Sequence, residues 1–297
     1  TYGYDNLYRL SAVDFGGRGI NRHQPFLFGY DSVGNRTIFL ASTTKYSYAY
    51  KPNENQLVSV GIDRSGRISY DWDLNGNLLR QSHFAGPDLF KQTDFSWDEE
   101  DRLKKINFKT FDTAGLIVRG KEAAKDSGLE FLYDDSGARI RKSTTFGGVV
   151  KRSTTYLRKG LSVVEEYEGT TNLELKTVYA GGVLKREAGS NYYFFKDALG
   201  STALVLDEAG AVAARYKYDA FGSEEYSEEK TGFSENTVRH ARKSYDFESG
   251  LIENFLRYRE PFVGRWISKD KLAGKLTEPQ SLNRYVLVKN NPLVLVD

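Results

Sequence analysis

The sequence contains no cysteine and no methionine, six prolines and only three histidines among its 297 residues. Without cysteine, disulfides, thiol chemistry and thiolate zinc sites are excluded. The histidines, His23, His83 and His240, are scattered along the chain and leave little for an imidazole metal site. We therefore expect neither a metal nor a cofactor.

Long apolar runs and blocks of like charge are also missing. The 42 basic and 40 acidic side chains are dispersed and give a net charge of +2, which predicts binding neither to nucleic acid nor to an anionic membrane. No apolar run approaches the roughly 20 residues that a membrane-spanning helix needs, and no secretory leader pattern begins the sequence. Phosphate-binding glycine loops, a Ser-His-Asp set and an HExxH motif are absent, which removes the commoner enzyme classes. The lack of any methionine predicts an internal segment of a longer product.

A short phrase, in which an aromatic residue and Asp are followed by two variable residues and Gly, recurs along the chain. An Asp side chain accepts hydrogen bonds from backbone N–H groups ahead of it, and Gly tolerates positive φ, so each copy predicts a tight turn between strands. The copies, some with another residue in place of the aromatic or the Gly, begin at Tyr4, Tyr30, Ile62, Trp72, Trp97, Phe111, Tyr133, Lys196, Leu206 and Tyr218.

The segments between these turns alternate in polarity and are rich in Tyr, Phe, Val, Thr and Ile, which predicts strands. Twenty Tyr and 18 Phe are enough to form aromatic ladders between neighbouring units. Because a strand–turn–strand unit buries no face alone, the units are expected to stack into an extended or coiled all-β sheet. Short helical stretches are predicted only around residues 120–128 and 234–244.

The last hundred residues carry more specific phrases, through which the chain resembles the YD-repeat or rearrangement-hotspot (Rhs) proteins, a family that includes the C component of insecticidal toxin complexes. The first 190 residues resemble generic YD repeats. The specific phrases, in the order of the family's repeat-associated core, are Arg257-Tyr258-Arg259-Glu260-Pro261, Gly264-Arg265-Trp266, Ser268-Lys269-Asp270 and Asn291-Pro292 before Asp297.

The resemblance implies a fold and a function. It implies a spiral β-sheet, a β-cocoon, that forms part of a hollow shell around a C-terminal toxin segment, with a shell segment at residues 1–191 and a core plug at residues 192–297. It also implies that the core is an aspartic autoprotease, which releases the toxin by cutting just beyond the core. By position, Asp270 and Asp297 match the catalytic pair and Arg257 matches a functional arginine.

The same resemblance implies partners and a location. Upstream shell repeats or a second shell chain are expected to complete the enclosure, and a secretion or delivery apparatus to carry it. The protein is then expected to be a polymorphic toxin of bacterial competition, secreted or delivered out of the producing bacterium.

Two acids suit peptide hydrolysis because like charges resist joint ionisation, so that one carboxyl keeps its proton while the other acts as a base. We expect a hairpin formed by residues 283–289 and 293–296 to return Asp297 beside Asp270. Alternatives remain: each Asp by itself suits a strand-end cap. A non-proteolytic structural or adhesive YD-repeat surface protein, or a carbohydrate-binding β-repeat module, also fits the repeats.

Overall fold

The computed structural model describes residues 1–14, 25–111, 127–231, 233 and 236–295. The fold is all-β, as predicted: strands β1 to β20 belong to one extended antiparallel sheet. By packing, the residues group into two compact units, of which the first contains residues 1–95, 108–125 and 265–297 and the second contains residues 96–107 and 126–264. The division into shell and core at residue 191 concerns sequence regions and stays a prediction.

Each strand pairs with the next one along the chain from β1 to β9 and again from β11 to β20. In the second unit β21, β22 and β23 form a further antiparallel group. The strands are β1 Tyr2–Tyr4, β2 Leu10–Val13, β3 Phe26–Tyr30, β4 Arg36–Ala41, β5 Thr44–Tyr50, β6 Leu57–Ile62, β7 Gly66–Trp72, β8 Leu78–Ala85, β9 Asp88–Trp97, β10 Leu103–Thr110, β11 Ser127–Tyr133, β12 Arg139–Phe146, β13 Val149–Lys159, β14 Ser162–Glu168, β15 Glu174–Ala180, β16 Leu184–Glu187, β17 Ser190–Lys196, β18 Thr202–Leu206, β19 Val212–Tyr218, β20 Glu224–Glu229, β21 Ser244–Asp246, β22 Leu251–Asn254, β23 Arg257–Glu260 and β24 Arg265–Trp266.

The Asp of the repeated phrase closes a turn, as the sequence predicts. The Asp31 carboxylate accepts hydrogen bonds from the backbone N–H groups of Val33 at 3.0 Å and Asn35 at 2.8 Å. Gly34, inside this turn, has a φ of +85°, a conformation that only glycine adopts without strain. The same two bonds, to the second and fourth residues ahead, are made by Asp5, Asp98, Asp134, Asp197, Asp207 and Asp219. The copy that begins at Phe111 lies outside the described residues from its second position onward.

The aromatic residue of the phrase has its own structural role. In the copies at Tyr30, Trp72, Tyr133 and Tyr218 it ends a strand, and its polar group donates a hydrogen bond to the backbone oxygen of the first residue of the preceding strand. Tyr30 does so to Leu10 at 2.8 Å, and Tyr133 to Leu103 at 2.7 Å. We call such residues back-bonding aromatics; the others are Tyr50, Trp72 and Tyr218. A register shift in the pairing with a neighbouring strand immediately precedes each of the five.

Aromatic and aliphatic side chains fill the core of each unit. In the first unit the Phe28 and Phe39 rings stack with centroids 5.0 Å apart, and Phe39 stacks on Tyr46 at 5.5 Å. This run of rings across β3, β4 and β5 is the aromatic ladder that the composition predicts. In the second unit a buried cluster contains Tyr179, Phe194, Val205, Ala213, Ala214 and Tyr216.

Two local predictions are wrong. The expected hairpin after residue 283 is absent from the described part of that segment, which forms a single bridge between Val286 and Arg265, a 3₁₀ turn at Val288–Asn290 and irregular turns. The Asn290 side chain explains part of this, because it donates to the Gly34 backbone oxygen at 2.8 Å. The helix expected at residues 234–244 is, over the described residues 236–244, a 3₁₀ turn at His240–Arg242. The other predicted helix falls mainly on residues outside the described ranges.

Candidate active site

Asp270 lies four residues beyond the end of β24 in the first unit. Upstream of it, Trp266 and Ile267 are each only 2% exposed. The Ile267 backbone oxygen accepts a hydrogen bond from the N–H of Leu78 at 2.9 Å, and the Asp270 N–H donates to the Arg284 oxygen at 3.1 Å. The backbone that carries Asp270 is therefore fixed from both directions.

The Asp270 carboxylate itself is half-buried and makes a local contact. It accepts a hydrogen bond from the backbone N–H of Leu272 at 2.9 Å, which is the pattern of an Asx turn. This contact is the ordinary role of a turn-capping carboxylate, and a catalytic role of Asp270 stays a prediction.

The segment that follows Asp270 returns to the Asp turns of the first unit through buried side chains. Asn283 donates to the backbone oxygen of Val33 at 3.0 Å and to the Asn35 amide oxygen at 2.8 Å. The Tyr285 hydroxyl donates to the Gly76 oxygen at 3.1 Å. The repeat turns thus hold the C-terminal segment at Asn283, Tyr285 and Asn290.

Arg265 is the central cation of this region. It is 4% exposed, and its guanidinium donates to the Asn55 backbone oxygen at 2.8 Å and the Asn35 side-chain oxygen at 3.2 Å. The same group lies over the Tyr50 ring at 4.9 Å. Burial, only partly offset by the tyrosines around it, lowers the pKa of Arg265 below its ordinary value.

Arg257, the third predicted site residue, begins β23 in the second unit. It pairs in register with Asn254 on β22 and is half-buried. The structure thus describes Asp270 and Arg257, each within its own unit, whereas Asp297 lies outside the described residues. The association of Asp270, Asp297 and Arg257 in one site stays a prediction.

Sequence reasoning missed a buried ionic cluster in the second unit, which we call the Arg139 cluster and which consists of Arg139, Lys142, Arg158, Asp246 and Glu253. Arg139 contacts Asp246 at 2.6 Å and Glu253 at 3.1 Å, and all three side chains are about 2% exposed. Lys142 approaches Asp246 at 3.2 Å, and Arg158 approaches Glu253 at 2.5 Å. No local sequence pattern predicts this cluster, because Arg139 and Asp246 are 107 positions apart.

The protonation of the Arg139 cluster follows from its contacts. Burial disfavours the charge of Arg139, but the Asp246 and Glu253 carboxylates outweigh burial and raise its pKa well above the ordinary value. Burial likewise acts to raise the pKa of Asp246, and the charges of Arg139 and Lys142 bring it below its usual range. Arg139 and Asp246 are therefore both charged in the folded state at neutral pH.

Two features that would point to other functions are absent from the part of the chain that the structure describes. It contains no group of three or more His, Asp or Glu side chains placed to hold a metal ion. Over the same ranges, no helix has both the length and the apolar character to cross a membrane.

The Asp turns, the back-bonding aromatics and the long antiparallel sheet of β1 to β20 define an all-β repeat protein of the YD type. The family described as Teneurin YD-shell matches residues 1–293, and the chain belongs to this family. It is a YD-repeat protein of the Rhs kind, as the sequence phrases predict.

Individual relatives come from bacteria and animals. The chain is 30% identical over 278 residues to the tRNA nuclease WapA of Bacillus subtilis (strain 168), covering 91% of this chain and 10% of that protein. It is 24% identical over 280 residues to Teneurin-4 of Mus musculus, covering 85% of this chain and 10% of the relative. The chain thus spans about a tenth of the length of the curated relatives it matches.

Among solved structures, the chain resembles a crystal structure of TcdB2-TccC3-Cdc42 with a TM-score of 0.53 and 20% identity. The match covers 100% of this chain and 18% of the other. A structure of TcdB2-TccC3 gives a TM-score of 0.50 at 18% identity, again over the whole of this chain. These similarities show that the fold is shared.

Proposed function

We propose that this chain is a stretch of a toxin-enclosing shell and that it carries an aspartic site for a single self-cleavage beyond Asp297. The observation that carries the proposal is the match of residues 1–293 to the YD-shell family, together with the fixed segment that bears Asp270. The enclosed toxin, the other shell segments and export from the producing bacterium are parts of the same proposal.

The proposed chemistry needs Asp270 and Asp297 close enough to share one proton. One carboxyl then stays protonated and donates to the departing amine, and the ionised carboxyl takes a proton from the attacking water. The two acids titrate as a pair with apparent pKa values that belong to the dyad. Arg257 would stabilise the ionised carboxylate or orient the substrate carbonyl. Because the substrate is part of the same chain, its effective concentration is high and one turnover is sufficient.

The test is cleavage of a precursor that continues beyond Asp297. Asp270→Asn and Asp297→Asn should each slow cleavage about 10²-fold or more, the contribution of a general acid or base, as followed on denaturing gels and by intact mass. The Asn side chain keeps an oxygen that can accept the Leu272 N–H, so folding should be retained. Arg257→Gln should slow cleavage as well.

The matched control is Asp207→Asn, because Asp207 closes an exposed turn with the same kind of backbone contacts. This variant should cleave at the rate of the unaltered precursor. Undiminished cleavage in both Asp270→Asn and Asp297→Asn would remove the protease assignment. Equal slowing in the Asp207 control would show that the effect is structural.

A structural or adhesive shell without proteolysis is the second candidate. The observation that favours it is the Asp270 contact with the Leu272 N–H, which is an ordinary turn-capping role. A precursor that stays uncleaved while both Asn variants fold like the unaltered chain would support this candidate.

A further inference from the structure

A pocket of about 540 Å³ opens in the second unit between the β13–β14 turn, the β15–β16 turn and the 3₁₀ turn at His240–Arg242. Its volume is in the range that holds small organic ligands. Apolar side chains form part of its wall, and several of them belong to or pack against the core of this unit: Val163, Tyr179, Phe194 and Val238.

Cationic side chains outnumber carboxylates in the lining of this pocket. Its one carboxylate, Glu253, is already paired with Arg139 at 3.1 Å and Arg158 at 2.5 Å within the Arg139 cluster. Five cationic side chains line the pocket: Arg158, Lys159, Lys196, Arg242 and Lys243. The lining therefore contains more positively than negatively charged side chains.

Two of these cations, Lys196 and Arg242, lie near each other without a carboxylate partner among the residues that the structure describes. Partial burial, and then the neighbouring charge of Arg242, lower the pKa of Lys196 below its ordinary value. Two like charges beside each other in a partly dry pocket repel, and an anion bound between them would relieve this repulsion.

The backbone conformation that places Arg242 in this position is energetically unfavourable. Arg242 has a φ of +63° and Ala241 a φ of +52°, a left-handed conformation that is unfavourable for side chains other than glycine. The adjacent turn leaves room for the guanidinium, because a Cβ added at Gly200 would lie 2.5 Å from the Arg242 Nε. Gly200 thus allows a close approach that no other residue would permit.

We propose that this pocket binds a small organic anion with at least two negative charges and an apolar body. A phosphate monoester and a dicarboxylate share this chemistry, since the planar guanidinium of Arg242 suits either group and the Lys196 ammonium adds a point charge. The apolar wall would contact the rest of the ligand. This site is separate from the proposed cleavage chemistry and does not depend on it.

The experiment is isothermal titration calorimetry at low ionic strength with three phenyl-bearing probes: phenyl phosphate, phenylsuccinate and the neutral benzyl alcohol. We expect at least one dianion to bind and benzyl alcohol not to bind; the preferred dianion distinguishes a phosphate from a carboxylate ligand. In Lys196→Gln/Arg242→Gln the affinity should fall by about tenfold or more, as expected for the loss of charge-assisted contacts.

The matched control is Lys151→Gln/Arg186→Gln, which removes the same charge from exposed positions of the same unit that do not line the pocket. Its affinity should remain within about twofold of the unaltered chain, because distant exposed charges are screened. Binding of neither dianion, equal binding of benzyl alcohol, or equal weakening in the control would each overturn the proposal. Thermal unfolding provides a second readout, since the same concentration of dianion should raise the midpoint of the unaltered chain by more than that of Lys196→Gln/Arg242→Gln.

Discussion

The two compact units each bury an arginine, and they accommodate its charge in opposite ways. In the second unit, Arg139 contacts the carboxylates of Asp246 and Glu253, and its pKa is raised. In the first unit, the hydrogen-bond partners of Arg265 are neutral oxygens, and burial lowers its pKa. One charge is compensated by opposite charges and the other by oriented dipoles and aromatic rings.

The difference indicates what each arginine stabilises. Arg139 joins β12 to β21 and β22, and its removal would leave each of two buried carboxylates with one cation fewer, Asp246 with Lys142 and Glu253 with Arg158. Arg265 joins the C-terminal segment to the Asp turns through amide and carbonyl oxygens, and its removal would leave dipoles unpaired but no net charge. Because an unpaired buried charge costs more than an unpaired dipole, the two sites should respond differently to the same substitution.

The largest effect is expected from Arg139→Met. It leaves Asp246 and Glu253 buried with fewer cations, and breaking a buried ion pair in this way costs about 3–5 kcal/mol. Urea unfolding followed by circular dichroism should report this loss. Arg152→Met, which removes an exposed partner of Glu168, should cost about 1 kcal/mol or less. If Arg139→Met lost no more free energy of unfolding than Arg152→Met, the buried carboxylates would have gained protons or water at little cost.

A smaller loss is expected from Arg265→Met. The Met side chain keeps the contact with the Tyr50 ring but removes the donor to the Asn55 backbone oxygen and leaves the Asn35 oxygen with Asn283 as a donor, at a cost of about 1–3 kcal/mol. The same urea experiment measures it. If Arg265→Met lost more free energy of unfolding than Arg139→Met, the comparison would be reversed, and Arg265 would contribute more to stability than Arg139.

The next prediction compares one histidine from each unit. Burial, followed by the charge of Arg259, lowers the pKa of His240 to about 3, and burial lowers the pKa of the more exposed His83 to about 4. Because both folded pKa values lie below the ordinary value of 6.5, each histidine contributes stability that is present above pH 6.5. This stability is lost as the pH falls towards the folded value.

Thermal unfolding midpoints between pH 7 and pH 4 test the histidine comparison. His240→Gln should show a smaller loss of stability on acidification than the unaltered chain, and His83→Gln should show a weaker change of the same sign. An unaltered acid profile in His240→Gln would contradict the buried, neutral state of this imidazole.

The smallest effects are expected from the back-bonding aromatics. Tyr30→Phe removes one hydrogen bond to the Leu10 oxygen and should cost about 1 kcal/mol. Tyr133→Phe should cost more, since the Tyr133 hydroxyl also lies 3.0 Å from that of the buried Tyr258. The difference between their urea midpoints is the measurement. Equal losses would show that the Tyr133–Tyr258 contact adds no stability.

The sequence predicts the fold well where the determinants are local. Asp31 and Asp134 close their turns through contacts two and four residues ahead, and such contacts can be recognised in a short phrase. The phrase does not predict the turn after Tyr50, because Lys51 occupies the Asp position. Tyr50 nevertheless makes the same bond to the preceding strand as the other back-bonding aromatics.

The candidate site was less predictable from the sequence because its determinants are distant along the chain. The position of Asp270 after a buried strand could be recognised, and its family resemblance pointed to a role. The contacts that fix the C-terminal segment, such as Asn283 to Val33 and Tyr285 to Gly76, join residues more than 200 positions apart. No local pattern encodes them, whereas the alternation of residues 283–289 is typical of a hairpin strand and predicts one. The pairing of Asp270 with Asp297 stays a prediction.

The hydrogen bond of each back-bonding aromatic spans only two adjacent strands. Gain or loss of a whole pair of strands by unequal recombination would therefore leave the remaining bonds of this kind intact. Each surviving pair of strands would keep its own copy of this contact.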